Sequence, residues 1–237
     1  LHQAYGQVID WFEQKIAATP CNDHTDALFI RWILEEPKHR YLQEQRMLGD
    51  DTPILATYRR LISIFSSEIT SFERKLYDNL SHEANKAMNI NSYLSLMGRS
   101  YTPVRRNDGY YLKRDSEGSL VFPKTPYVLT IDADSLVLSS YAKLLIYCME
   151  QLQWRDTAII QTPYSAINGS PVLIERIAGL TTDIQYLIHQ GFTRFPTYWV
   201  GANAIIRVAA LKDIEETSRE RGHLIRRYIS DTTVIED

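Results

Sequence analysis

A short apolar run that ends in two aspartates constrains this chain more than any other stretch. Residues 127–131 read Tyr-Val-Leu-Thr-Ile, and Asp132-Ala-Asp134-Ser135 follow directly. The run is apolar and β-branched, which predicts a central parallel strand with both faces covered. Ligands of open α/β sheets bind at the carboxyl ends of the strands, so both aspartates are expected at that end.

The two aspartates have two interpretations. Residues two apart on a strand point the same way, so Asp132 and Asp134 are placed to face one hard cation. Carboxylate oxygens suit Mg²⁺ or Mn²⁺, which also hold substrate phosphates. The alternative is structural: Asp134 or Ser135 caps a following helix.

The composition is that of an ordinary globular protein. The chain has 237 residues, of which 44% are hydrophobic and 23% are charged, and its formal net charge is −3. This balance argues against nucleic acid as a partner, because broad nucleic-acid binding needs a basic field. Cys21 and Cys148 form no disulfide framework or metal-ligand pattern, so we infer a reducing compartment.

The two ends of the sequence predict a fragment of a longer protein. Leu1 opens the chain inside a helical pattern, and Asp237 closes it without a tail. The sequence carries no signal peptide and no apolar run of about 18 residues. We expect one truncated domain over residues 1–237, with a helical portion at 1–80 and the candidate site at 81–237.

Helical periodicity dominates the first third of the chain. Helices are predicted at residues 3–18, 25–34 and 35–49. The next predicted helix is capped by Asp51 or Thr52. Its apolar residues recur every three or four positions from Tyr58 to Leu80, about seven turns.

Strands are predicted in the middle and last parts of the chain. Two runs at 110–113 and 119–122 flank a turn at 115–118, which predicts a hairpin. A strand at 127–131, a helix at 139–152 and a strand at 157–161 predict a βαβ unit. A helix is expected at 172–189, strand-like runs at 195–207 and a short helix at 208–216. These elements predict an α/β fold.

Four polar blocks occur in a fixed order. They are Asn85-Lys86-Ala-Met-Asn89-Ile-Asn91, Ile131-Asp132-Ala-Asp134-Ser135, Trp199-Val-Gly201-Ala-Asn203-Ala-Ile-Ile-Arg207 and Thr233-Val-Ile-Glu236-Asp237. Over about residues 80–237 this order resembles the family-2 glycosyltransferases of GT-A fold, in the branch of cellulose synthases and bacterial β-glucan synthases. The resemblance implies a GT-A-like, Rossmann-type mixed sheet flanked by helices, with a helix-rich N-terminal portion.

The resemblance also implies a role for each block. The implied ligands of a divalent cation, Mg²⁺ or Mn²⁺, are Asp132 and Asp134. The implied contacts of the nucleotide sugar are Lys86, Asn89, Asp132 and Asp134. The implied acceptor-site residues are Tyr198, Trp199, Gly201 and Asn203. The implied catalytic residues are Glu236 and Asp237, with Asp237 as the base.

The implied function is transfer of a hexose from a UDP-sugar, with UDP-glucose the first choice, to a growing polysaccharide with inversion. Such a reaction needs a carboxylate that takes the proton of the acceptor hydroxyl. It also needs neutralisation of the departing diphosphate, which a cation on Asp132 and Asp134 together with Lys86 would supply. The expected partners are a UDP-sugar donor and a glycan acceptor.

Two departures from the family pattern keep other functions open. Met88 stands where the family usually has glycine, and Ile235 stands where it usually has threonine. They leave room for a catalytically inactive GT-A-like binding or regulatory domain. A nucleotidyltransferase is a further alternative, although its Gly-rich, basic phosphate loop near the start is absent from this sequence.

The resemblance finally implies a location. Processive members of the family carry transmembrane helices, and a Gln-x-x-Arg-Trp motif that would fall beyond Asp237. We therefore expect the parent to be a multi-pass protein at the cytoplasmic face of the plasma membrane. The fragment itself is expected to be soluble and to have little transferase activity alone.

Overall fold

A computed structural model describes residues 1–107, 109–190 and 201–230. Its α-helices are α1 (His2–Ala18), α2 (His24–Phe29), α3 (Glu36–Arg46), α4 (Ile54–Phe65), α5 (Lys86–Leu96), α6 (Tyr141–Glu150), α7 (Leu173–Asp183) and α8 (Val208–Leu211). Its strands are β1 (Arg99–Arg106), β2 (Gly109–Arg114), β3 (Leu120–Phe122), β4 (Tyr127–Thr130), β5 (Ile159–Gln161), β6 (Ala204–Arg207), β7 (Glu216–Glu220) and β8 (His223–Arg227). The predicted mixed α/β class is confirmed.

The chain divides into two compact units. Unit 1 comprises Leu1–Thr70, Leu136–Ser139 and Ser165–Tyr186. Unit 2 comprises Ser71–Ser135, Ser140–Tyr164 and the described part of Leu187–Asp237. Every candidate-site residue that the structure describes belongs to unit 2. The expectation of one domain over residues 1–237 stays a prediction.

Unit 1 has a helical core rich in aromatic residues. α1 is amphipathic as predicted, and it buries Tyr5, Val8 and Phe12 against Tyr41 of α3. A π-helical segment, Ile30–Glu35, follows α2 directly and leads into α3, so His24–Arg46 is one helical run. The stacked rings of Phe12 and Tyr41 lie 5.8 Å apart, a favourable aromatic geometry.

The predicted long helix from Tyr58 to Leu80 is wrong. α4 ends at Phe65, and the next helical turn is a 3₁₀ segment at Arg74–Leu76. The Ser66 hydroxyl donates to the Ile62 carbonyl, a side-chain bond of the kind that competes with helix continuation. Ile69 is 96% exposed, so the apolar periodicity did not mark one continuous buried face.

The first sheet of unit 2 has the strand order β2-β1-β3. The predicted hairpin between 110–113 and 119–122 is wrong, because β1 lies between β2 and β3 and pairs antiparallel with both. The predicted turn at 115–118 is confirmed by the Gly118 amide, which donates to the Asp115 carbonyl at 3.1 Å. Gly118 is needed there, since a Cβ on it would lie 2.4 Å from the Tyr101 carbonyl oxygen.

The second sheet has the order β4-β6-β5 and positions the candidate site. β4 and β5 are each antiparallel to β6, so they run parallel to one another and form, with α6, the predicted βαβ unit. The prediction that the strand at 127–131 is central is wrong, because β6 lies between the other two. Ile205 and Ile206 of β6 are almost fully buried, which accounts for its central place.

Arg207 fastens this second sheet at the end of β6. Its guanidinium donates to the Tyr127 hydroxyl at 2.9 Å and to the Met149 carbonyl at 2.8 Å. It also donates to the Thr157 carbonyl at 3.3 Å. One side chain therefore links β4, α6 and the segment before β5.

A hairpin of β7 and β8 was not predicted and forms the third sheet. The predicted helix at 208–216 is shorter, because α8 and a 3₁₀ turn at Lys212–Ile214 end before β7. The turn residues Arg221 and Gly222 have φ of 47° and 84°, the left-handed pair that tight hairpins favour. Arg221 also donates to the Leu80 carbonyl at 2.7 Å, which attaches the hairpin to the rest of unit 2.

The predicted helix at 172–189 is confirmed as α7 followed by a π-helical segment, Ile184–Gln190. Its apolar residues Leu173, Ile177 and Leu180 are exposed. None of the helices in the described ranges has the length and apolar character needed to cross a membrane.

Candidate functional site

The first residue of α5 is Lys86, and local capping fixes its position. The Asn85 side chain accepts a hydrogen bond from the Met88 amide at 2.7 Å, which satisfies one free amide of the helix start. Asn85 is therefore the N-cap of α5. The Lys86 backbone is held at a defined place in unit 2.

The loop before α5 is held by a buried arginine. Arg74 is 5% exposed and donates to the carbonyls of Ser81 and Glu83. It also donates to the Asn89 side-chain oxygen at 2.7 Å. Burial lowers the pKa of Arg74, and the nearby Glu220 and Glu83 carboxylates act in the opposite direction. The predicted nucleotide contact Asn89 thus has its side-chain oxygen engaged within the protein.

Asp132 follows β4 and carries two partners from other parts of unit 2. The Lys86 ammonium donates to Asp132 Oδ1. The Tyr164 hydroxyl donates to Asp132 Oδ2 at 3.3 Å. The Lys86 and Asp132 side chains are 35% and 32% exposed, so solvent reaches this ion pair without fully surrounding it.

Tyr164 is a site residue that sequence reasoning missed. It lies three residues after β5, as Asp132 lies two residues after β4. Because β4 and β5 run parallel in one sheet, their carboxyl ends meet at the same edge. That parallel relationship was the available signal for Tyr164.

Asp134 lies in the turn that follows β4. The Ser135 amide donates to the Asp132 carbonyl at 3.1 Å and closes this turn. The Asp134 side chain is exposed and has no hydrogen bond or ion pair within the described residues. Its carboxylate is therefore available to a ligand from solvent.

These carboxylates fit a divalent cation as part of its ligand set. Two oxygen donors in one turn suit Mg²⁺ or Mn²⁺, which prefer carboxylates and keep several water or phosphate ligands. No group of three or more His, Cys, Asp or Glu side chains forms a metal cage within the described ranges. A cation here would take its other ligands from water and from phosphate oxygens.

The predicted acceptor residues Gly201 and Asn203 precede β6. Gly201 has φ of 92° and Asn203 has φ of 52°, left-handed conformations that these residue types tolerate best. Asn203 is 9% exposed, and its side-chain oxygen has no hydrogen-bond partner in the described part of the chain. Such buried, unpaired polar atoms are uncommon and need an explanation.

The segment that begins at β4 is similar to a known protein family. Residues 127–237 match the family model described as Glycosyl transferase family group 2. The match begins at β4 and includes Asp132, Asp134 and Asn203. It supports a family-2 glycosyltransferase domain in this part of the chain, and with it glycosyl transfer between a sugar donor and an acceptor. The mixed α/β fold is consistent with a GT-A-like domain of that kind.

The other comparisons add no relative. Neither the curated proteins nor the solved structures give a match to this chain. Lys86 lies outside the range that the glycosyltransferase model covers. The ion pair with Asp132 is therefore the structural link between Lys86 and the matched segment.

Four predicted glycosyltransferase residues lie outside the described residues: Tyr198, Trp199, Glu236 and Asp237. Their roles stay predictions.

Ser230, three residues after β8, is the last residue that the structure describes. Beside it, a cavity of about 730 Å³ is lined in part by Glu83, Asn85, Tyr228 and Ser230.

The resemblance implies a glycine at position 88, and Met88 does not obstruct the surface of the candidate site. Met88 is fully buried in the interior of unit 2. Its backbone amide serves the helix cap, and its sulfur lies 3.7 Å from the Asn91 side-chain nitrogen. The departure from the glycosyltransferase pattern is therefore accommodated by core packing.

Proposed function

We propose that this chain is the catalytic part of a metal-dependent, inverting hexosyltransferase of the cellulose synthase branch. It would transfer a hexose from a UDP-sugar, with UDP-glucose the first choice, to a growing glycan. One observation carries the proposal: Asp132 and Asp134 follow β4, and Lys86 of α5 forms an ion pair with Asp132. This arrangement lies at the start of the segment that matches the glycosyltransferase family.

The donor would bind at this edge of the sheet. Asp132 and Asp134 would hold Mg²⁺ or Mn²⁺, which when bound supplies positive charge to the donor diphosphate. Lys86 is within reach of the same place and would donate to a phosphate oxygen. Asn89 would contribute through the Arg74 bond that holds the loop before α5.

The acceptor would bind near the start of β6. The unpaired oxygen of Asn203 supports this, since a sugar hydroxyl is the kind of donor that would satisfy it. Tyr198 and Trp199 would offer flat apolar faces to sugar rings. Gly201 would also contribute to the acceptor site. These roles extend the resemblance to the described geometry of Gly201 and Asn203.

The proton of the attacking hydroxyl would pass to Asp237, and Glu236 would complete the acidic block. A carboxylate is suited to that step because the hydroxyl loses its proton as it attacks the anomeric carbon. Replacing Asp237 by Asn in the protein that contains this chain would then abolish sugar transfer and leave UDP binding intact. Unchanged transfer by that variant would remove Asp237 from the mechanism.

Calorimetry on this chain tests the donor site. We expect UDP to bind in the presence of Mn²⁺ and to bind far more weakly after EDTA treatment. Asp132→Ala and Asp134→Ala should each weaken Mn²⁺-dependent UDP binding at least tenfold. Asp156→Ala, which changes an exposed aspartate beyond α6, is the matched control. Equal UDP affinity in all three variants would overturn the assignment.

Assays of the protein that contains this chain distinguish a hexosyltransferase from a regulatory domain and from a nucleotidyltransferase. A regulatory domain would bind UDP but would not turn over any UDP-sugar in the protein that contains this chain. A nucleotidyltransferase would release pyrophosphate from a nucleoside triphosphate, whereas a hexosyltransferase releases UDP. We also propose that the parent is a multi-pass protein at the cytoplasmic face of the plasma membrane, which fractionation of the full-length protein tests.

A further inference from the structure

We propose that Lys86 is an internal counter-ion of the cation site, and that it couples the binding of the cation to the binding of the diphosphate. The inference rests on the proposed function, because it uses the same cation site and the same donor. It adds a property that the proposed function does not require: without donor, the protein supplies its own positive charge to Asp132.

Both oxygens of the Asp132 carboxylate are engaged by the protein. The Lys86 ammonium donates to Oδ1, and the Tyr164 hydroxyl donates to Oδ2. The charge of Asp132 is therefore already balanced in the ligand-free chain. A divalent cation that approaches Asp132 meets an ammonium group at the place where it would bind.

Partial burial strengthens this competition. The two side chains are about one-third exposed, so solvent screens their charges less than those of a surface pair. Repulsion between Lys86 and an incoming dication is felt for the same reason. Of the two carboxylates in the described turn after β4, Asp134 is the one free to attract the cation, and one carboxylate holds a divalent ion weakly.

The Lys86 side chain is able to move although its backbone is fixed. Asn85 caps the helix start and holds the Lys86 backbone. The flexible four-carbon stem of lysine lets the ammonium turn from Asp132 to another anion without any movement of α5. A diphosphate beside the site provides that anion.

The two ligands then assist each other through one side chain. A diphosphate that takes the Lys86 ammonium leaves Asp132 free for the cation, and a cation on Asp132 releases Lys86 for the diphosphate. Coupling of this kind is reciprocal, and its usual size is about 5- to 150-fold in affinity. Direct coordination of the cation by phosphate oxygens adds to this coupling, but that contribution does not depend on Lys86.

The test separates the contribution of Lys86 from that of direct phosphate coordination by measuring the affinity for Mn²⁺ in the absence of UDP. Free Mn²⁺ is counted by its electron paramagnetic resonance signal during titration of this chain, without and then with UDP. The wild-type chain should bind Mn²⁺ weakly without UDP and much more tightly with it. Lys86→Met should bind Mn²⁺ alone at least about fivefold more tightly, and UDP should enhance that affinity less than in the wild type.

Three further variants control for charge and folding. Lys86→Arg keeps the positive charge and should bind Mn²⁺ alone as weakly as the wild type. Lys143→Met removes one charge from an exposed lysine of α6 that has no ion pair within the described residues, and should change neither affinity. Lys86→Gln, checked with Lys86→Met by circular dichroism, gives a second neutral variant should one of them fail to fold.

The outcomes also separate this inference from the proposed function. Asp132→Ala that leaves Mn²⁺ binding with UDP unchanged would overturn the cation site itself. If Asp132→Ala abolishes that binding but the neutral Lys86 variants bind Mn²⁺ alone no more tightly than the wild type, the cation site stands and the counter-ion role of Lys86 is wrong.

Discussion

Asn91 holds Ile229 by two hydrogen bonds across the interior of unit 2. The Ile229 amide donates to the Asn91 side-chain oxygen at 3.0 Å, and the Asn91 side-chain nitrogen donates to the Ile229 carbonyl at 2.8 Å. The same oxygen accepts from the Tyr228 amide at 2.9 Å. Asn91 lies on α5, so the helix that begins with Lys86 also holds Tyr228 and Ile229, which follow β8.

Loss of this amide is expected to destabilise unit 2. Asn91 is fully buried, and Asn91→Leu keeps the branched shape of the side chain while leaving three backbone groups unpaired. We expect a decrease of about 3 kcal/mol in the free energy of unfolding, measured by urea denaturation. Gln153→Leu, at an exposed position of unit 2, is the control. A decrease no larger than that of the control would mean that the Asn91 bonds contribute little.

Tyr164→Phe tests the second partner of Asp132. The variant removes the hydroxyl that donates to Oδ2 and keeps the ring, so the carboxylate loses one of its two restraints. We expect Mn²⁺-dependent UDP binding to weaken about fivefold, the equivalent of one ordinary hydrogen bond. Calorimetry measures this. Tyr147→Phe, at an exposed tyrosine of α6, should bind as the wild type does, and equal binding by both variants would dismiss Tyr164.

Acid is expected to destabilise unit 1 through Glu44. Its carboxylate accepts from the Arg60 guanidinium at 3.2 Å and from the Tyr5 hydroxyl at 2.9 Å. Burial raises the pKa of Glu44, but the bonds from Arg60 and Tyr5 outweigh it, and the pKa is lowered from its ordinary value of 4.5. A lowered folded-state pKa stabilises above that ordinary value, and the stabilisation is lost as pH falls through the folded value.

The measurement is the thermal midpoint of unfolding between pH 7 and pH 3. The thermal midpoint of the wild type should decrease once the pH falls below about 4.5. The thermal midpoint of Glu44→Gln should be lower than that of the wild type at neutral pH and should decrease less as the pH falls. Asp10→Asn, at an exposed position of α1, is the control. Parallel acid curves for wild type and Glu44→Gln would show that another group governs the decline.

Gly118→Ala is expected to destabilise the first sheet of unit 2. The added Cβ would lie 2.4 Å from the Tyr101 carbonyl oxygen, and backbone must move to make room. Overpacking of this kind costs about 2 kcal/mol or more in the free energy of unfolding. Gly49→Ala is the comparison, because a Cβ there meets no atom within 4 Å. Similar urea midpoints for the two variants would contradict the steric argument.

Local patterns predicted the elements whose own residues carry the signal. α1 has a helical apolar period, and β4, α6 and β5 have strand, helix and strand patterns in that order. The prediction of one helix from Tyr58 to Leu80 was wrong because the apolar residues of this segment belong to two different cores. Leu61 packs in the core of unit 1 and Leu80 in that of unit 2, and periodicity alone does not tell two cores from one helix.

The candidate site was predicted in part. Asp132, Asp134 and Lys86 followed from motif order, and the structure joins Lys86 to Asp132. Tyr164 and the role of Asn91 were missed, because both depend on contacts between distant segments. The Tyr164 bond spans 32 residues and the Ile229 bond spans 138. The pairing of Asn91 with Ile229 has no local pattern, whereas Tyr164 could have been found from the parallel relationship of β4 and β5.

The hydrogen bonds of Asn91 with Tyr228 and Ile229 also have a consequence for synthesis on the ribosome. α5 is complete by Leu96, but the groups that satisfy its buried amide are made more than 130 residues later. Contacts of such long range form slowly, because a large loop must close first. A nascent chain that has not yet reached Tyr228 therefore carries an unpaired polar group where its interior should close. The interior of unit 2 is completed only after Tyr228 and Ile229 have been translated.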